Sequence, residues 1–215
     1  IYHLYDIGCY HMSKNRSTKD FGLRSNERLY LKKNHNLLFK FPQVKNFKSN
    51  YVNFYTFNAG FKKKYDDILI AVFKNATPLT AVYSKTSTPS APIIWDKKNN
   101  KGLCKLLIIN SGNANAHTGK EGVRSIDKYI SYATNYFKCS KNEILVSSTG
   151  VIGEKLDIKK IINVFNLISN SSKKNLLTAA KSIMTTDTFP KTAIQSIKFG
   201  SKKINIFGFA KGSGM

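Results

Sequence analysis

The chain has 215 residues, of which 41% are hydrophobic and 12% are aromatic. This composition is ordinary for a globular protein and excludes a chain that is disordered throughout. Its apolar runs are only as long as strands, whereas a membrane helix needs roughly 20 apolar residues, so we expect a soluble protein with no membrane partner.

The formal net charge of +23 is spread along the whole chain. Such an excess suggests nucleic acid or another anionic partner. The lysines, however, stand beside Asn, Ile, Tyr and Phe throughout, and these amino acids share adenine- and thymine-rich codons, so genome composition can produce the same excess. No recognised nucleic-acid-binding motif accompanies the charge. We therefore expect a positive field that attracts anionic small molecules, with a basic nucleic-acid-binding α/β domain as the alternative.

Three cysteines, Cys9, Cys104 and Cys139, lie far apart in the sequence. An odd number with this spacing fits neither a disulfide framework nor a zinc site. We expect a reducing compartment, no metal and no secretion.

Residues 1–55 are predicted to form a basic N-terminal extension, because they are rich in Asn, Ser, Lys and Arg and show little apolar periodicity. Few acidic residues with scattered Arg and Ser are also compatible with an organellar transit segment. A solvated extension specific to this protein is an equally good interpretation. The folded domain is expected to cover residues 56–215.

Strands and helices alternate in the predicted domain, which indicates an α/β fold with mixed sheets layered with helices. Apolar runs predict four strands, over residues 67–73, 79–83, 104–109 and 143–147. Thr149 and Gly150 are expected to break the last of these. Near the end of the chain, the runs 193–199 and 204–209 flank Gly200 and Ser201, a pattern typical of a hairpin.

Helices are predicted where apolar residues recur with a period of 3.6 residues. One covers residues 126–137, and a third covers residues 176–184. Between them, Asp157 is expected to cap a helix with an apolar face formed by Ile158, Ile161, Ile162, Phe165 and Ile168. Residues 85–92 are predicted to be non-helical, because each proline removes a backbone donor and restrains its predecessor. Residues 110–122 are expected to form a loop.

Glycine- and hydroxyl-rich segments stand at the ends of these elements, where backbone N–H groups are free. In residues 110–119, small side chains allow a tight turn and close approach of another group. Residues 147–153 contain Thr149 and Gly150, whose hydroxyl and amides would suit a developing oxyanion. Taken singly, each segment is also typical of an ordinary turn.

Two further segments carry polar groups suited to a substrate. Residues 184–191 gather hydroxyls, including that of Thr185, around one carboxylate, an arrangement that can orient a polar molecule. Residues 210–215 place Lys211 among glycines, where its compact positive charge can face an anionic group. Helix capping for the threonines and one more exposed lysine for Lys211 are the simpler interpretations.

In this order, the four segments resemble the N-terminal half of ornithine acetyltransferases, also called bifunctional glutamate N-acetyltransferases. The resemblance runs from about Ala59 to Met215 and is carried by residues 110–116, 148–153, 184–188 and 211–215. Each motif is common alone, but four in register are highly specific. By this resemblance, Thr149 and Gly150 belong to the oxyanion hole, and Thr185 and Lys211 contact the substrate.

The resemblance also implies a reaction. Members of the family cut themselves before a threonine to give an α chain and a β chain, and the new N-terminal threonine is a nucleophile activated by its own α-amino group. It takes acetyl from N-acetylornithine and passes it to glutamate in arginine biosynthesis. Some members also use acetyl-CoA as co-substrate, and no other cofactor is expected.

The nucleophile itself is expected shortly after Met215, so the resemblance implies that the chain lacks it and works with the β chain of the same precursor in an α2β2 heterotetramer. The expected compartment is the cytoplasm in a bacterium and the mitochondrial matrix or plastid in a eukaryote. A self-cleaving aminopeptidase relative and a non-catalytic subunit descended from the family are the remaining alternatives.

Overall fold

The computed structural model describes residues 49–212. Most of the predicted N-terminal extension, Cys9 and residues 213–215 therefore lie outside the described residues. The first strand crosses the predicted domain boundary, since it begins at Val52.

A four-stranded mixed sheet forms the centre of the domain. Its strand order is β1-β2-β3-β4, with antiparallel pairing of β1 with β2 and of β2 with β3, and parallel pairing of β3 with β4. The strands are β1 (Val52–Phe57), β2 (Ile68–Pro78), β3 (Leu103–Asn113) and β4 (Ile144–Val151). The parallel pair brings the C-terminal ends of β3 and β4 to the same edge of the sheet.

Helices cover both faces of this sheet. They are α1 (Ala91–Asn99), α2 (Gly119–Phe137), α3 (Ile158–Phe165) and α4 (Leu176–Ser182), with short 3-10 turns at Lys141–Glu143 and Ile168–Asn170. Helices α1, α2 and α3 pack on one face of the sheet, and α4 packs on the other. The α/β class with layered helices is confirmed.

The burial of β2 explains its continuous apolar run. Ile68 and Ile70 point into the core beneath α1, α2 and α3, whereas Leu69 and Ala71 point towards α4. Because successive side chains alternate between the two faces of a strand, a strand covered on both faces must be apolar at every position.

A hairpin of β5 (Lys191–Phe199) and β6 (Lys202–Ala210) forms a second, two-stranded sheet, as the sequence predicts. Its inner side packs against the α4 face of the main sheet. The rings of Phe207 and Phe209 meet that of Phe54 edge-on, with centroids 6.4 and 6.0 Å apart. This packing places the end of β6 beside the edge where β3 and β4 end.

The three predicted helices are present with shifted bounds, and α2 begins at Gly119, seven residues before the predicted start. Helix α2 contains the predicted face, and the Asp157 side chain caps α3 by accepting from the Lys159 backbone N–H at 3.1 Å. Helix α3 ends at Phe165, and Ile168 lies in the 3-10 turn after it. Helix α4 ends at Ser182, two residues before the predicted end.

Two predictions about the region between β2 and β3 are wrong. Residues 79–83 form no strand: the ladder with β3 continues along β2 as far as Pro78, and the residues beyond it are largely exposed. Residues 91 and 92 are not outside a helix but begin α1. Pro92 stands in the first turn, where its missing N–H breaks no bond of the helix, and Trp95 is fully buried in the core.

Asp96, on α1, is a buried carboxyl whose charged form the fold disfavours. Its side chain accepts a hydrogen bond from the Val146 backbone N–H at 3.1 Å. Burial raises the pKa of Asp96 to about 7, and the bond from Val146 offsets this only in part. From about pH 4 to pH 7 the folded protein therefore holds a proton that the unfolded chain has lost, so this group lowers stability as the pH rises.

Asp96→Asn should remove this loss, because an amide keeps the acceptor and carries no charge. As the pH rises from 4 to 8, the free energy of unfolding of the variant should increase relative to that of wild type by up to about 4 kcal/mol. Urea unfolding at both pH values measures the gain. Asp157→Asn, at an exposed helix cap, is the matched control. Parallel stability curves for wild type and Asp96→Asn would contradict the prediction.

Candidate functional site

The candidate site lies where the ends of β3, β4 and β6 meet the turn after α4. The loop predicted over residues 110–122 is wrong at both ends, because residues 110–113 belong to β3 and residues 119–122 to α2. The predicted break at Thr149 and Gly150 is also wrong, because both residues belong to β4. The ladder continues through Ser111 paired with Thr149 and becomes irregular at Asn113. Backbone pairing therefore fixes these residues more firmly than a loop would.

Backbone segments touch directly at this edge of the sheet. Gly150 has φ 137°, and a Cβ there would lie 2.2 Å from the carbonyl carbon of Gly112. Gly112 has φ 111°, and its Cβ would lie 2.8 Å from the carbonyl oxygen of Phe61. Both positions require glycine, because a side chain would need backbone atoms to move and would strain a left-handed conformation.

Buried polar side chains of β3 hold this packing together. The Ser111 hydroxyl donates to the Ser182 carbonyl at the end of α4, at 2.6 Å. The Asn110 amide donates to the Asn113 carbonyl at 2.8 Å, and its oxygen accepts from the Ser148 hydroxyl at 2.6 Å. The small polar residues of this segment thus connect α4, β3 and β4 from within.

Lys211, just after β6, brings three of the predicted site residues together. Its ammonium donates to the Thr149 hydroxyl at 2.5 Å and to the Thr185 hydroxyl at 2.9 Å. Gly150 comes directly after Thr149 in β4 and stands opposite Gly112. Residues from three separate parts of the chain therefore meet around one half-buried cation.

The environment of Lys211 lowers its pKa below the ordinary lysine value. Burial is the main cause; the negative charge of Asp187 partly offsets it, and the positive charge of Lys191 lowers the pKa further. A cation removed in part from water interacts more strongly with an approaching anion than an exposed lysine does. The arrangement can therefore bind a carboxylate and polarise the Thr149 hydroxyl.

The carboxylate at the centre of the predicted hydroxyl cluster, that of Asp187, bonds within the protein. Its side chain has no exposed surface and forms an ion pair with Lys191 at 2.6 Å. It also accepts from the Gly212 backbone N–H at 2.8 Å and from the Thr185 backbone N–H at 3.3 Å. Asp187 thus joins the turn after α4 to the residue next to Lys211.

Lys62 is a second half-buried cation at this site, and sequence reasoning missed it. Its ammonium donates to the Ser182 and Met184 carbonyls, at 3.0 and 3.1 Å, and so ties down the chain just before Thr185. Burial lowers the pKa of Lys62, Asp67 and Asp66 oppose this, and Lys211 adds to it. Lys62 is the first of three consecutive lysines, so its sequence resembles a solvated run and carried no signal.

Asp67 shapes the loop that carries Lys62. It is fully buried directly before β2, and its carboxylate accepts from the backbone N–H groups of Ala59, Phe61 and Lys62, at 2.7, 2.7 and 2.8 Å. An acid directly before a fully apolar run was the signal available in the sequence, because a buried carboxylate needs several donors.

Within residues 49–212, no group of three His, Cys, Asp or Glu side chains is arranged to hold a metal ion. In the same part of the chain, none of the helices has the length and apolarity needed to cross a bilayer.

Comparisons with known proteins agree on one family. The family model described as the ArgJ family matches residues 53–215. Over 163 residues, the chain is 44% identical to the arginine biosynthesis bifunctional protein ArgJ of Bradyrhizobium diazoefficiens and 42% identical to that of Bartonella henselae. Each match covers 74% of this chain and 40% of the relative. The chain thus spans about 40% of the length of these relatives.

Solved structures show the same fold. The crystal structure of arginine biosynthesis bifunctional protein ArgJ from Bacillus halodurans superposes with a TM-score of 0.72 at 28% identity, covering 78% of this chain and 89% of that one. Ornithine acetyltransferase of Mycobacterium tuberculosis, solved in complex with ornithine, has a TM-score of 0.69 at 24% identity, covering 77% and 90%. The second likeness concerns the fold alone.

Proposed function

The chain belongs to the ArgJ family, and we propose that it forms the oxyanion-binding and substrate-binding part of an acetyltransferase that moves acetyl from N-acetylornithine to glutamate. Its relatives carry the name arginine biosynthesis bifunctional protein, which supports an acetyltransferase of that pathway over the aminopeptidase alternative.

The observation that carries this proposal is the Lys211 ammonium held between the hydroxyls of Thr149 and Thr185. The Thr149 oxygen accepts from Lys211, which leaves its own proton available to an oxygen outside the protein. A donor polarised in this way suits the negative charge that develops on an acetyl carbonyl during acyl transfer. In this proposal the Gly150 backbone N–H is the second donor.

We propose a reaction in two acyl-transfer steps. A threonine hydroxyl from the segment beyond Met215 attacks the acetyl carbonyl of N-acetylornithine, with its own α-amino group taking the proton. The α-ammonium gives this proton to the amide nitrogen as the C–N bond breaks, so ornithine leaves with a neutral side-chain amine and the acetyl group stays on the threonine oxygen. The amino group of glutamate then attacks the ester, releasing N-acetylglutamate and restoring the hydroxyl. Acetyl-CoA is proposed as a further acetyl donor, and no other cofactor is invoked.

We also propose that this part works with a β chain from the same precursor, in an α2β2 assembly. The outer side of the β5–β6 hairpin supports a partner surface. Its large apolar side chains remain 42% to 76% exposed, namely Ile197, Phe199, Ile204 and Ile206. An apolar patch of this kind commonly marks a protein–protein contact.

The direct test of the proposal is acetyl transfer by the natural full-length protein. N-acetylornithine and glutamate are supplied together, and N-acetylglutamate is measured by mass spectrometry. Product that appears only when both compounds are present supports the proposal. A folded, fully cleaved protein that transfers no acetyl group would refute it.

Lys211→Met is expected to raise KM for N-acetylornithine by about tenfold, because a charge that neutralises the substrate carboxylate acts in both the ground and transition states. It should lower kcat less, because the Thr149 hydroxyl remains as oxyanion donor and loses only its polarisation by Lys211. Steady-state kinetics on fully cleaved protein, with cleavage checked by mass, measures both constants. Lys198→Met, on the exposed part of the hairpin, is the matched control. Unchanged KM and kcat in Lys211→Met would remove Lys211 from the site.

A further inference from the structure

Asp187 contacts the two chain segments that carry Thr185 and Lys211. Its Oδ2 accepts from the backbone N–H of Thr185 at 3.3 Å, and its Oδ1 accepts from that of Gly212 at 2.8 Å. Thr185 and Lys211, the neighbour of Gly212, are the two residues that meet through their side chains at 2.9 Å. One carboxylate therefore holds the main chain at Thr185 and at Gly212, the residue directly after Lys211.

The chemistry of the contacts requires an ionised carboxylate. Three N–H donors converge on its two oxygens, the third being the Lys191 ammonium at 2.6 Å. Burial by itself would raise the pKa of Asp187, but the hydrogen bonds from Lys191, Gly212 and Thr185 outweigh burial and leave the pKa below its ordinary value. An amide of the same shape cannot replace it, because its nitrogen would face an N–H donor.

We propose that Asp187 is a positioning residue, which fixes the backbone at Thr185 and Gly212 so that the Lys211 ammonium is held between the Thr149 and Thr185 hydroxyls. The role in acetyl transfer rests on the proposed function. The effect on Lys211 itself does not, because it arises from contacts within this chain.

The charges of Asp187 and Lys191 act on the pKa of Lys211 in opposite directions. The negative charge of Asp187 raises the pKa of Lys211, and the positive charge of Lys191 lowers it. Removing one charge or the other should therefore move the titration of Lys211 in opposite directions. Lys62 also interacts electrostatically with Lys211, but it is unchanged in both variants.

The first experiment measures the titration of Lys211 without relying on activity. The natural full-length protein is treated with a small amine-reactive acylating reagent over a range of pH, and modification of Lys211 is quantified by peptide mass spectrometry. Asp187→Asn should shift the titration to lower pH, and Lys191→Met should shift it to higher pH. Asp157→Asn, which removes a carboxylate from an exposed helix cap, should leave it in place.

The second experiment measures kinetics on the same proteins. Asp187→Asn should raise KM for N-acetylornithine by about tenfold, since a bond to a charged group that holds Lys211 in place is lost. The fall of kcat/KM at alkaline pH should also move to lower pH in Asp187→Asn, because Lys211 loses its proton at lower pH once the negative charge is removed. Lys191→Met keeps the carboxylate and its two backbone bonds, so KM should stay within about twofold of wild type. In this variant the fall of kcat/KM at alkaline pH should move to higher pH.

The outcomes separate the two proposals. An active wild-type protein with unchanged Lys211 titration in both variants would overturn the role of Asp187 and leave the acetyltransferase intact. A wild-type protein without acetyl transfer, but with the two opposite shifts, would refute the function and retain the positioning role. If Asp187→Asn fails to fold, Asp187→Glu decides the matter, because it keeps the negative charge but displaces the carboxylate from the N–H groups of Thr185 and Gly212. A Lys211 titration that differs from wild type supports the proposal, and one that coincides with wild type overturns it.

Discussion

Thr149→Ala is expected to lower kcat for acetyl transfer by about 10²–10³, the usual effect of losing one oxyanion donor. The hydroxyl accepts a 2.5 Å bond from Lys211 and stands in a strand whose backbone is paired with β3. It is therefore both polarised and fixed before a substrate arrives. The methyl group of alanine fits the same strand, so the fold should persist.

Steady-state kinetics on fully cleaved protein tests this, and circular dichroism checks the fold. Thr149→Ser is the matched control: it keeps the hydroxyl and should retain most of the activity. Because the same hydroxyl could assist self-cleavage, the cleaved fraction must be measured by mass in every sample. Wild-type kcat in Thr149→Ala would exclude Thr149 from the oxyanion hole.

Gly150→Ala is expected to destabilise the protein by more than about 4 kcal/mol or to prevent folding. The added Cβ would lie 2.2 Å from the carbonyl carbon of Gly112 and 2.5 Å from the backbone nitrogen of Asn113. Neither neighbour is the end of a flexible side chain, so the strands themselves would have to separate. Any folded fraction should also lose activity, because Thr149 would move with the strand.

Gly153 provides a matched control for this substitution. It too has positive φ, at 86°, but a Cβ there meets nothing within 4 Å. Gly153→Ala should therefore cost only the local backbone strain, about 1–3 kcal/mol. Urea unfolding and the yield of soluble protein measure both variants. Equal losses of stability at the two glycines would show that close backbone packing at Gly150 is not the cause.

Helices and strands that are encoded by a pattern of neighbouring residues were predictable from the sequence. Helices α2 and α3 have apolar faces of regular period, and the Asp157 side chain stands directly before α3, where it can accept from the first free N–H groups of that helix. The hairpin had two apolar runs around Gly200 and Ser201. Helix α1 was missed because Pro92 is forbidden inside a helix but harmless in its first turn, and sequence alone does not distinguish the two positions.

The candidate site was predictable only in part, because its contacts join residues that are far apart in the sequence. The motifs identified Thr149, Thr185 and Lys211 by resemblance, but the bonds between them span 62 and 26 residues of sequence. No local pattern encodes such contacts. For the same reason the internal bonds of Asp187 and the support from Lys62 became visible only when the packing of β3, β4 and β6 was known.

The direct contact of backbones at Phe61, Gly112 and Gly150 has a thermodynamic consequence. No rotatable side chain separates these segments, so the position of the neighbouring Thr149 depends on main-chain geometry that is fixed when the protein folds. Little conformational entropy remains to be lost when a substrate binds or when charge develops on its carbonyl. A site built from main chain in this way is preorganised. Little of the binding free energy is therefore offset by ordering of the protein, and more of it stabilises the bound acyl group.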